Sequence, residues 1–476
     1  MIADCSLPGA GSGMWKGGKP APAAGTGGTV MGDLRTERCP DGGDADLSAR
    51  SGCVRAVPRP LGGRLVDSPP VPEPAGNPVP RLLEGVRERF DDGVDFTIGI
   101  EEEYQLLDPE TLALTNRFED MMDSADERLR ERLSGELIAS EIEFRTGRHE
   151  SFPEAARELT EGRLTTAALA DRLGVAIGVT GVHPFSPWTE QRIIDTPHYR
   201  RVEAGLGYVA WINNTWSIHL HCGIRGADRA MAVASAMRSV LPELLALSAN
   251  SAVYVGRLTR LHSTRTQVFT KSFPRCGVPD VFRDWAEYAD YVALLERTRS
   301  IEESTQIWWS VRPHHSFGTL EVRICDGQTE MAESLGLAAL MLACLAAFCA
   351  DHDAGRTLPS HPHRLIEENI WRATRYGLEG NMIDLDRGIE RPAADAIEAL
   401  LAWSAPVHEP LGLTAFLAQV PQTLASGNGA MRQAARFAEL HGAVPDPLRT
   451  LHAEAAERTR RSAEEVLASM GAVVGA

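Results

Sequence analysis

The sequence predicts an α+β fold: a largely antiparallel sheet flanked by helices and followed by a helical C-terminal third. Three observations lead to this class. Strand-like stretches are grouped in the early and middle parts of the chain, helical periods separate them, and the remainder from Arg364 onward is mostly helical by period. We expect one domain over residues 86–476 and a separate segment over residues 1–85.

The N-terminal segment is rich in glycine and proline and lacks hydrophobic periodicity, which predicts that residues 1–85 are disordered. The sequence leaves open whether translation begins at Met1 or at a later methionine, for example Met31. The N-terminus shows no basic start followed by an apolar core, so we expect no export. Eight cysteines without paired Cys-x-x-Cys spacing are typical of free thiols in a reducing cytoplasm, which is the expected location.

Composition narrows the range of partners. The 476 residues include 48 Lys and Arg against 65 Asp and Glu, a net charge of −17, which argues against nucleic acid or an anionic membrane as a partner. The longest apolar stretch, 335–350, is shorter than the roughly 20 residues that span a bilayer. We predict a buried helix there. The alternative that this helix forms the interface of a homodimer is left open by the sequence.

The strands and helices are expected in the following order. Alternating or β-branched residues predict strands at 96–108, 135–146, 175–182, 211–223, 308–312 and 318–325. Helical periods predict helices at 160–176, from a cap at Asp228 to 248 with a kink at Pro242, at 280–298, and from Met331 onward; 117–133 is either helix or loop. Breaks in the helical C-terminal part are expected at 377–381, 406–412 and 442–447.

The first strand contains three consecutive carboxylates in an otherwise apolar run. Side chains alternate along a strand, so Glu101, Glu103 and Gln105 share one face while Glu102 points to the other. Two carboxylates on one face repel each other unless a cation lies between them, which favours a divalent metal ion with oxygen ligands. A solvated edge strand with one acidic face is the alternative.

Two further strands repeat this pattern, with ionisable residues at positions i and i+2. These pairs are His219 with His221 and Glu321 with Arg323, and Glu143 in another strand is a possible fourth contributor. Together they would suit a site for metal and nucleotide, because carboxylates hold divalent ions and an arginine stabilises a transferring phosphoryl group. Hydrogen-bonded core histidines and cross-strand Glu–Arg pairs are the structural alternatives.

Eight short motifs, taken in their order along the chain, resemble those of the carboxylate–amine ligase family related to bacterial glutamate–cysteine ligases of the second type. The motifs that carry the resemblance are Gly99-Ile-Glu-Glu-Glu-Tyr104, Ile142-Glu-Phe-Arg-Thr-Gly147, Gly181-Val-His-Pro-Phe185, His219-Leu-His-Cys-Gly223, Ser248-Ala-Asn-Ser251, Val311-Arg-Pro313, Gly318-Thr-Leu-Glu-Val-Arg323 and Glu368-Asn-Ile-Trp-Arg-Ala-Thr-Arg-Tyr-Gly377.

The resemblance implies a glutamine-synthetase-like catalytic sheet, ATP as energy source, Mg²⁺ as metal, and amino acids or other small carboxylates and amines as substrates. The roles implied by motif position are metal ligands for Glu101, Glu103, Glu143 and Glu321, catalysis for Arg323, His219 and His221, and nucleotide binding for Arg312, Arg372 and Arg375. Asn369 matches a motif without an assigned role. The reaction implied is amide formation through an acyl phosphate, with glutamate and cysteine as the leading substrates. A metal-dependent amide hydrolase and a non-catalytic nucleotide or amino-acid sensor are the competing functions.

Overall fold

The computed structural model describes residues 80–474, with side chains to residue 471. The predicted disorder of residues 1–79 lies outside the described residues. For residues 80–85 that prediction is wrong, because Arg81–Leu83 form a 3₁₀ helix and Leu83 is buried. The described residues belong to one unit, which spans Pro74–Ala476.

Thirteen strands and sixteen α-helices make up the described part of the chain. The strands are β1 Ile98–Leu107, β2 Leu133–Ser134, β3 Glu141–Arg145, β4 Ala176–Gly178, β5 Ile218–Gly223, β6 Val253–Tyr254, β7 Arg257–Leu258, β8 Cys276–Gly277, β9 Trp308–Trp309, β10 Val311–His314, β11 Thr319–Val322, β12 Asn381–Asp384 and β13 Ile389–Pro392. The helices are α1 Val86–Asp91, α2 Phe118–Ser124, α3 Glu127–Arg130, α4 Phe152–Arg172, α5 Pro197–Leu206, α6 Tyr208–Trp211, α7 Ala227–Met237, α8 Leu241–Ser248, α9 Trp285–Arg297, α10 Met331–Asp353, α11 His363–Tyr376, α12 Ala393–Ser404, α13 Thr414–Leu417, α14 Gln419–Ser426, α15 Gly429–Leu440 and α16 Pro447–Val474.

Seven of the strands form one antiparallel sheet. Its order is β10-β11-β5-β1-β3-β2. The short strand β4 also pairs with β1, at residues 105–107, on the edge opposite to β3. The predicted fold class, a mixture of helices and a largely antiparallel sheet, is therefore confirmed. Three small two-stranded pairs lie outside this sheet, and one of them, the hairpin of β12 and β13, falls within the part that we predicted to be mostly helical.

Helices cover one face of the sheet. Ile98, Ile100, Tyr104 and Leu106 of β1 belong to the same buried cluster as residues of α4 and α10, and both helices pack against the sheet strands. The 23-residue helix α10 is apolar around its whole circumference, which is typical of a helix buried on all sides. The other face of β1 carries Gly99, Glu101, Glu103 and Gln105, and this face holds the candidate site.

Two helical stretches, Ala227–Ser248 and Met331–Asp353, are long and apolar enough to cross a membrane. Within the fold, 89% and 94% of their most apolar windows are buried, so both are core helices of this structure. The predicted burial of the apolar stretch 335–350 is confirmed for residues 335–349, and Ala350 is exposed.

Several element boundaries differ from the prediction. Helix α4 begins at Phe152, eight residues before the predicted start at 160, and Pro153 lies in its first turn, where proline is tolerated. The predicted helix over 228–248 is broken into α7 and α8 by a 3₁₀ turn at Arg238–Val240, so the kink near Pro242 is confirmed. The cap assigned to Asp228 is wrong, because Gly226 is the N-cap and Asp228 lies in the first turn.

Candidate active site on the acidic face of the sheet

The register of the sheet brings the predicted site residues of four strands onto one face, which we call the acidic face. Glu101 on β1 pairs with His219 on β5, and Glu103 pairs with Glu143 on β3. On the other side of β5, His221 pairs with Glu321 of β11. Directly opposed residues in antiparallel strands share a face, so these side chains converge as predicted.

Glu102 points to the opposite face, as the alternation predicts. Its carboxylate and the guanidinium of Arg163 on α4 are both fully buried, and Arg163 Nε donates a hydrogen bond of 2.9 Å to Glu102 Oε2. Ser334 of α10 donates a further hydrogen bond of 2.7 Å to the same carboxylate. Glu102 therefore joins the sheet to its covering helices and is separate from the acidic face.

Glu101 lies between the two histidines of β5. His219 Nδ1 is 3.2 Å from Glu101 Oε2, and His221 Nε2 is 3.2 Å from Glu101 Oε1. Burial opposes ionisation of Glu101, but the attraction of His221 and the hydrogen bond with His219 outweigh it and hold the pKa of Glu101 well below its ordinary value. The carboxylate of Glu101 is thus anionic at neutral pH.

The two histidines of β5 differ in how readily they are protonated. Burial, reinforced by repulsion from Arg323, lowers the pKa of His219. Burial also disfavours the charged form of His221, but attraction to Glu101 and Glu321 outweighs it and raises the pKa of His221. A neutral imidazole has one ring nitrogen free as a metal ligand or hydrogen-bond acceptor, so His219 is the better suited of the two to bind a cation directly.

Glu321 is held by two arginines. Arg312 Nε donates a hydrogen bond of 2.7 Å to Glu321 Oε2, and Arg323 forms an ion pair with Glu321 Oε1. Burial alone would raise the pKa of Glu321, but these guanidinium groups outweigh it and hold the pKa well below the ordinary range. Arg312 also donates to the backbone carbonyl of Ile307 at 2.6 Å, so the structure places this predicted nucleotide-binding residue behind Glu321.

Sequence reasoning missed three polar residues on this face: Glu136, Glu141 and Ser217. Ser217 Oγ donates a hydrogen bond of 2.7 Å to Glu103 Oε2 and lies 2.7 Å from His219 Nε2. Its position two residues before His219 in the alternating strand was the signal that could have found it. Glu136 lies in a loop, because β3 begins at Glu141 and the predicted strand over 135–146 is wrong for residues 135–140. The alternation expected there therefore does not give the direction of the Glu136 side chain.

The missed carboxylates make the acidic face strongly self-repelling. Burial and repulsion from Glu103 raise the pKa of Glu136 to about 7. Burial and repulsion from Glu103 and Glu136 raise the pKa of Glu141 well above its ordinary value. For Glu143, burial and the charges of Glu101 and Glu136 have the same effect. Such clustering is expected where a bound cation is the missing counter-charge.

The donor atoms present fit divalent cations. Three sets have ligand atoms within 4.8 Å of one another: Glu101 with Glu143 and His219, Glu101 with His221 and Glu321, and Glu103 with Glu136 and Glu143. Within the part of the chain that the structure describes, His221 Nε2 and Glu143 Oε1 are buried without a hydrogen-bond partner. The all-carboxylate set suits Mg²⁺, and the mixed sets also suit Mn²⁺.

A cavity of about 780 Å³ opens beside Glu101 and His221. Gly99, which pairs with His221 in the sheet, lines the cavity and leaves it open there because glycine has no side chain. Arg145, opposite Glu101 on β3, also lines it. The volume lies within the range of about 300–1,000 Å³ that is usual for small-molecule sites.

Arg372 and Arg375, predicted to bind nucleotide, lie on α11 outside the acidic face. Arg372 is paired with Glu368 at 3.2 Å and with Glu390 at 2.6 Å, and the guanidinium of Arg375 lies 4.8 Å from the centre of the Tyr376 ring. The side-chain amide of Asn369 exchanges two hydrogen bonds of 2.8 Å with the backbone of Ile383. These contacts join α11 to the hairpin of β12 and β13, and they do not bring Arg372, Arg375 or Asn369 to the acidic face.

The model of glutamate–cysteine ligase family 2 (GCS2) matches residues 97–461, which includes every strand of the main sheet. The chain belongs to this family. It is therefore a member of a group of ligases that form carbon–nitrogen bonds. The match covers the acidic face, α11 and most of the C-terminal helices.

Two relatives of similar sequence agree with this assignment. The chain is 38% identical over 344 residues to a Solibacter usitatus protein named "Putative glutamate--cysteine ligase 2", covering 72% of this chain and 89% of that protein. It is 40% identical over 351 residues to "Putative glutamate--cysteine ligase 2-3" of Rubrobacter xylanophilus, covering 74% of this chain and 94% of that protein.

Two crystal structures show the same fold at low sequence identity. The glutamate–cysteine ligase of Francisella tularensis in complex with AMP has a TM-score of 0.59 at 13% identity, covering 80% of this chain and 93% of that one. A bifunctional glutathione synthetase from Pasteurella multocida has a TM-score of 0.55 at 14% identity, covering 80% of this chain and 54% of that one.

Proposed function

We propose that the protein is an ATP-dependent carboxylate–amine ligase that forms an amide through an acyl phosphate. The γ-carboxylate of glutamate and the amine of cysteine are the leading substrates, because the relatives are named as glutamate–cysteine ligases. The observation that carries the proposal is the acidic face, where carboxylates, two imidazoles and Arg323 converge beside one cavity. The AMP complex of the Francisella neighbour supports the use of a nucleotide.

The acidic face would hold Mg²⁺ ions through Glu101, Glu103, Glu136 and Glu143, with His219, His221 and Glu321 completing the sets. Bound there, Mg²⁺ offsets the charge of a triphosphate and so reduces its repulsion towards an anionic carboxylate. Without such ions, this face would repel both ATP and an anionic substrate.

Arg323 is a cation that the chain itself supplies to the acidic face. Its guanidinium is nearly buried, is paired with Glu321, and has an Nε without a hydrogen-bond partner among residues 80–474. Attraction to Glu321 and Glu136 outweighs the effect of burial and raises the pKa of Arg323, so the charge is permanent. A fixed cation in a dry site stabilises charge that develops on a transferring phosphoryl group.

Exclusion of water from the site matters because an acyl phosphate is hydrolysed by water. Ser217 helps to organise the floor of the site by bridging Glu103 and His219, which orients both side chains before substrates bind. We place the reaction in the cytoplasm, in keeping with the five described cysteines, which are all free thiols.

The test is a screen for ADP release across pairs of carboxylates and amines with Mg²⁺ present. The proposal expects ADP when both substrates are supplied, and slow release with the carboxylate alone. Hydroxylamine in place of the amine should give a hydroxamate by trapping the acyl phosphate. Amide cleavage without nucleotide would favour a hydrolase instead, and nucleotide binding without turnover in every pair would favour a sensor.

A further inference from the structure

The turn between β10 and β11 holds an aromatic ring at the wall of the cavity. Phe317 is 56% exposed and lines the cavity together with Glu101 and His221. Exposed apolar residues that rim a concave site beside polar groups often mark a ligand surface. The acidic face makes no use of this ring.

The exposure of Phe317 is built into the turn. The N–H of Gly318 donates a hydrogen bond of 2.9 Å to the carbonyl of His314. Gly318 has a φ of +63°, and a Cβ there would lie 2.9–3.0 Å from Cβ and the backbone of Arg89, so no other residue fits without strain.

His315, two residues before Phe317 in the turn, is also anchored. Its carbonyl accepts a hydrogen bond of 3.3 Å from Arg89, and its ring lies 2.5 Å from the hydroxyl of buried Tyr288. Because the turn is fixed on both sides of Phe317, at His315 and at Gly318, the ring of Phe317 is held at the cavity.

Two imidazole rings, those of His314 and His221, connect Phe317 to the acidic face. Phe317 is stacked on His314, with ring centres 4.4 Å apart and an angle of 18° between the planes. His221 meets both rings edge-on, at 4.9 Å from His314 and 5.5 Å from Phe317. Since His221 Nε2 lies 3.2 Å from Glu101, one imidazole separates Phe317 from the nearest carboxylate of the acidic face.

We propose that Phe317 stacks against the purine base of the nucleotide, with the polyphosphate extending from there along His221 towards the acidic face. This inference rests on the proposed use of ATP. A base is a flat π-system that gains free energy from stacking on an aromatic side chain. Arg145, opposite Glu101 and within the same cavity, lies 3.7 Å from Glu143 Oε2, and its half-exposed guanidinium has room to contact the phosphates as well. An apolar amine side chain is the competing occupant of this surface.

The experiment compares ATP with inorganic triphosphate, which lacks a base. Dissociation constants for both ligands are measured by calorimetry with Mg²⁺ present, in the full chain and in its Phe317→Ala and Phe317→Tyr variants. Stacking is expected to make Phe317→Ala bind ATP about 5- to 150-fold more weakly while triphosphate binds as before, and Phe317→Tyr should retain ATP affinity. Unfolding in urea checks that each variant is folded.

The outcomes separate this inference from the proposal on which it rests. Wild-type protein that binds ATP, with equal affinity in Phe317→Ala, would overturn the stacking role alone. Equal weakening of ATP and triphosphate in Phe317→Ala would also overturn it, because the loss would then be independent of the base. A variant that keeps ATP affinity but needs more amine substrate would assign Phe317 to the amine. Wild-type protein that binds no ATP would overturn both.

Discussion

Adjacent glutamates on β1 should have separate functions, one in stability and one in the reaction. The perturbation is Glu102→Gln, which removes one charge without changing the size of the side chain. In the folded protein Glu102 and Arg163 are both fully buried, and among residues 80–474 Glu102 is the only carboxylate that contacts Arg163. The variant would leave a guanidinium in a dry site with backbone carbonyls and a serine hydroxyl as its partners.

The magnitude follows from that burial. Removal of one partner from a buried ion pair typically costs about 3–5 kcal/mol, because the remaining charge is no longer compensated. The amide of glutamine adds to this cost, since its NH₂ group would turn a donor towards the donors of Arg163. We expect the free energy of unfolding of Glu102→Gln to fall by about 3–5 kcal/mol.

Urea unfolding followed by tryptophan fluorescence measures this change. The matched control replaces both partners, Glu102→Leu with Arg163→Met, and should be more stable than either single variant because no unpaired charge is left. ADP release per folded molecule should persist in Glu102→Gln at low temperature, because Glu102 points away from the acidic face. Unchanged stability, or a folded variant without ADP release, would refute the division of the two faces.

Two further predictions concern charge and metal. Burial raises the pKa of Glu243 in the folded protein from 4.5 to about 7, so the folded state holds this proton more tightly than the unfolded chain and stability falls as the pH rises between these values. The expected loss of stability over this pH range is about 3 kcal/mol. It is measured by urea unfolding of wild type and Glu243→Gln at pH 5 and pH 8, where the difference in stability between the two proteins should change with pH. An equal difference at both pH values would contradict the prediction. Mg²⁺ at about 100 times its dissociation constant should add about 2.7 kcal/mol to stability. This gain, measured by thermal unfolding in MgCl₂ against EDTA, should be lost in Glu143→Gln, and an equal gain in both proteins would argue against Glu143 as a ligand.

The parts of the site that depend on local alternation could be predicted from sequence. A strand has a period of two, so Glu101 and Glu103 had to share a face and Glu102 had to leave it. The same rule placed His219 with His221. Their meeting with Glu143 and Glu321 is set by strand order and register, and here the resemblance to a family supplied what local patterns lack.

The remainder depended on tertiary structure. Glu136 reaches the acidic face from a loop, where backbone direction follows from packing and has no period. The hairpin of β12 and β13 is short and mostly exposed, so its alternation was too weak to separate it from the surrounding helices. Arg372 matched a family motif, yet it forms ion pairs with Glu368 and Glu390, and a motif alone does not give a side chain its position.

We claim that the acidic face carries an ATP-dependent ligation, in which ADP and amide form together. The ratio of ADP to amide product, with glutamate, cysteine, ATP and Mg²⁺, should therefore be measured in wild-type protein and in Glu103→Gln. We predict one ADP for each amide in the wild type, and a rate lower by about 100-fold or more in the variant, because a ligand of the reacting centre is lost. Amide formation at the wild-type rate in Glu103→Gln, or ADP release without any amide in the wild type, would contradict the claim.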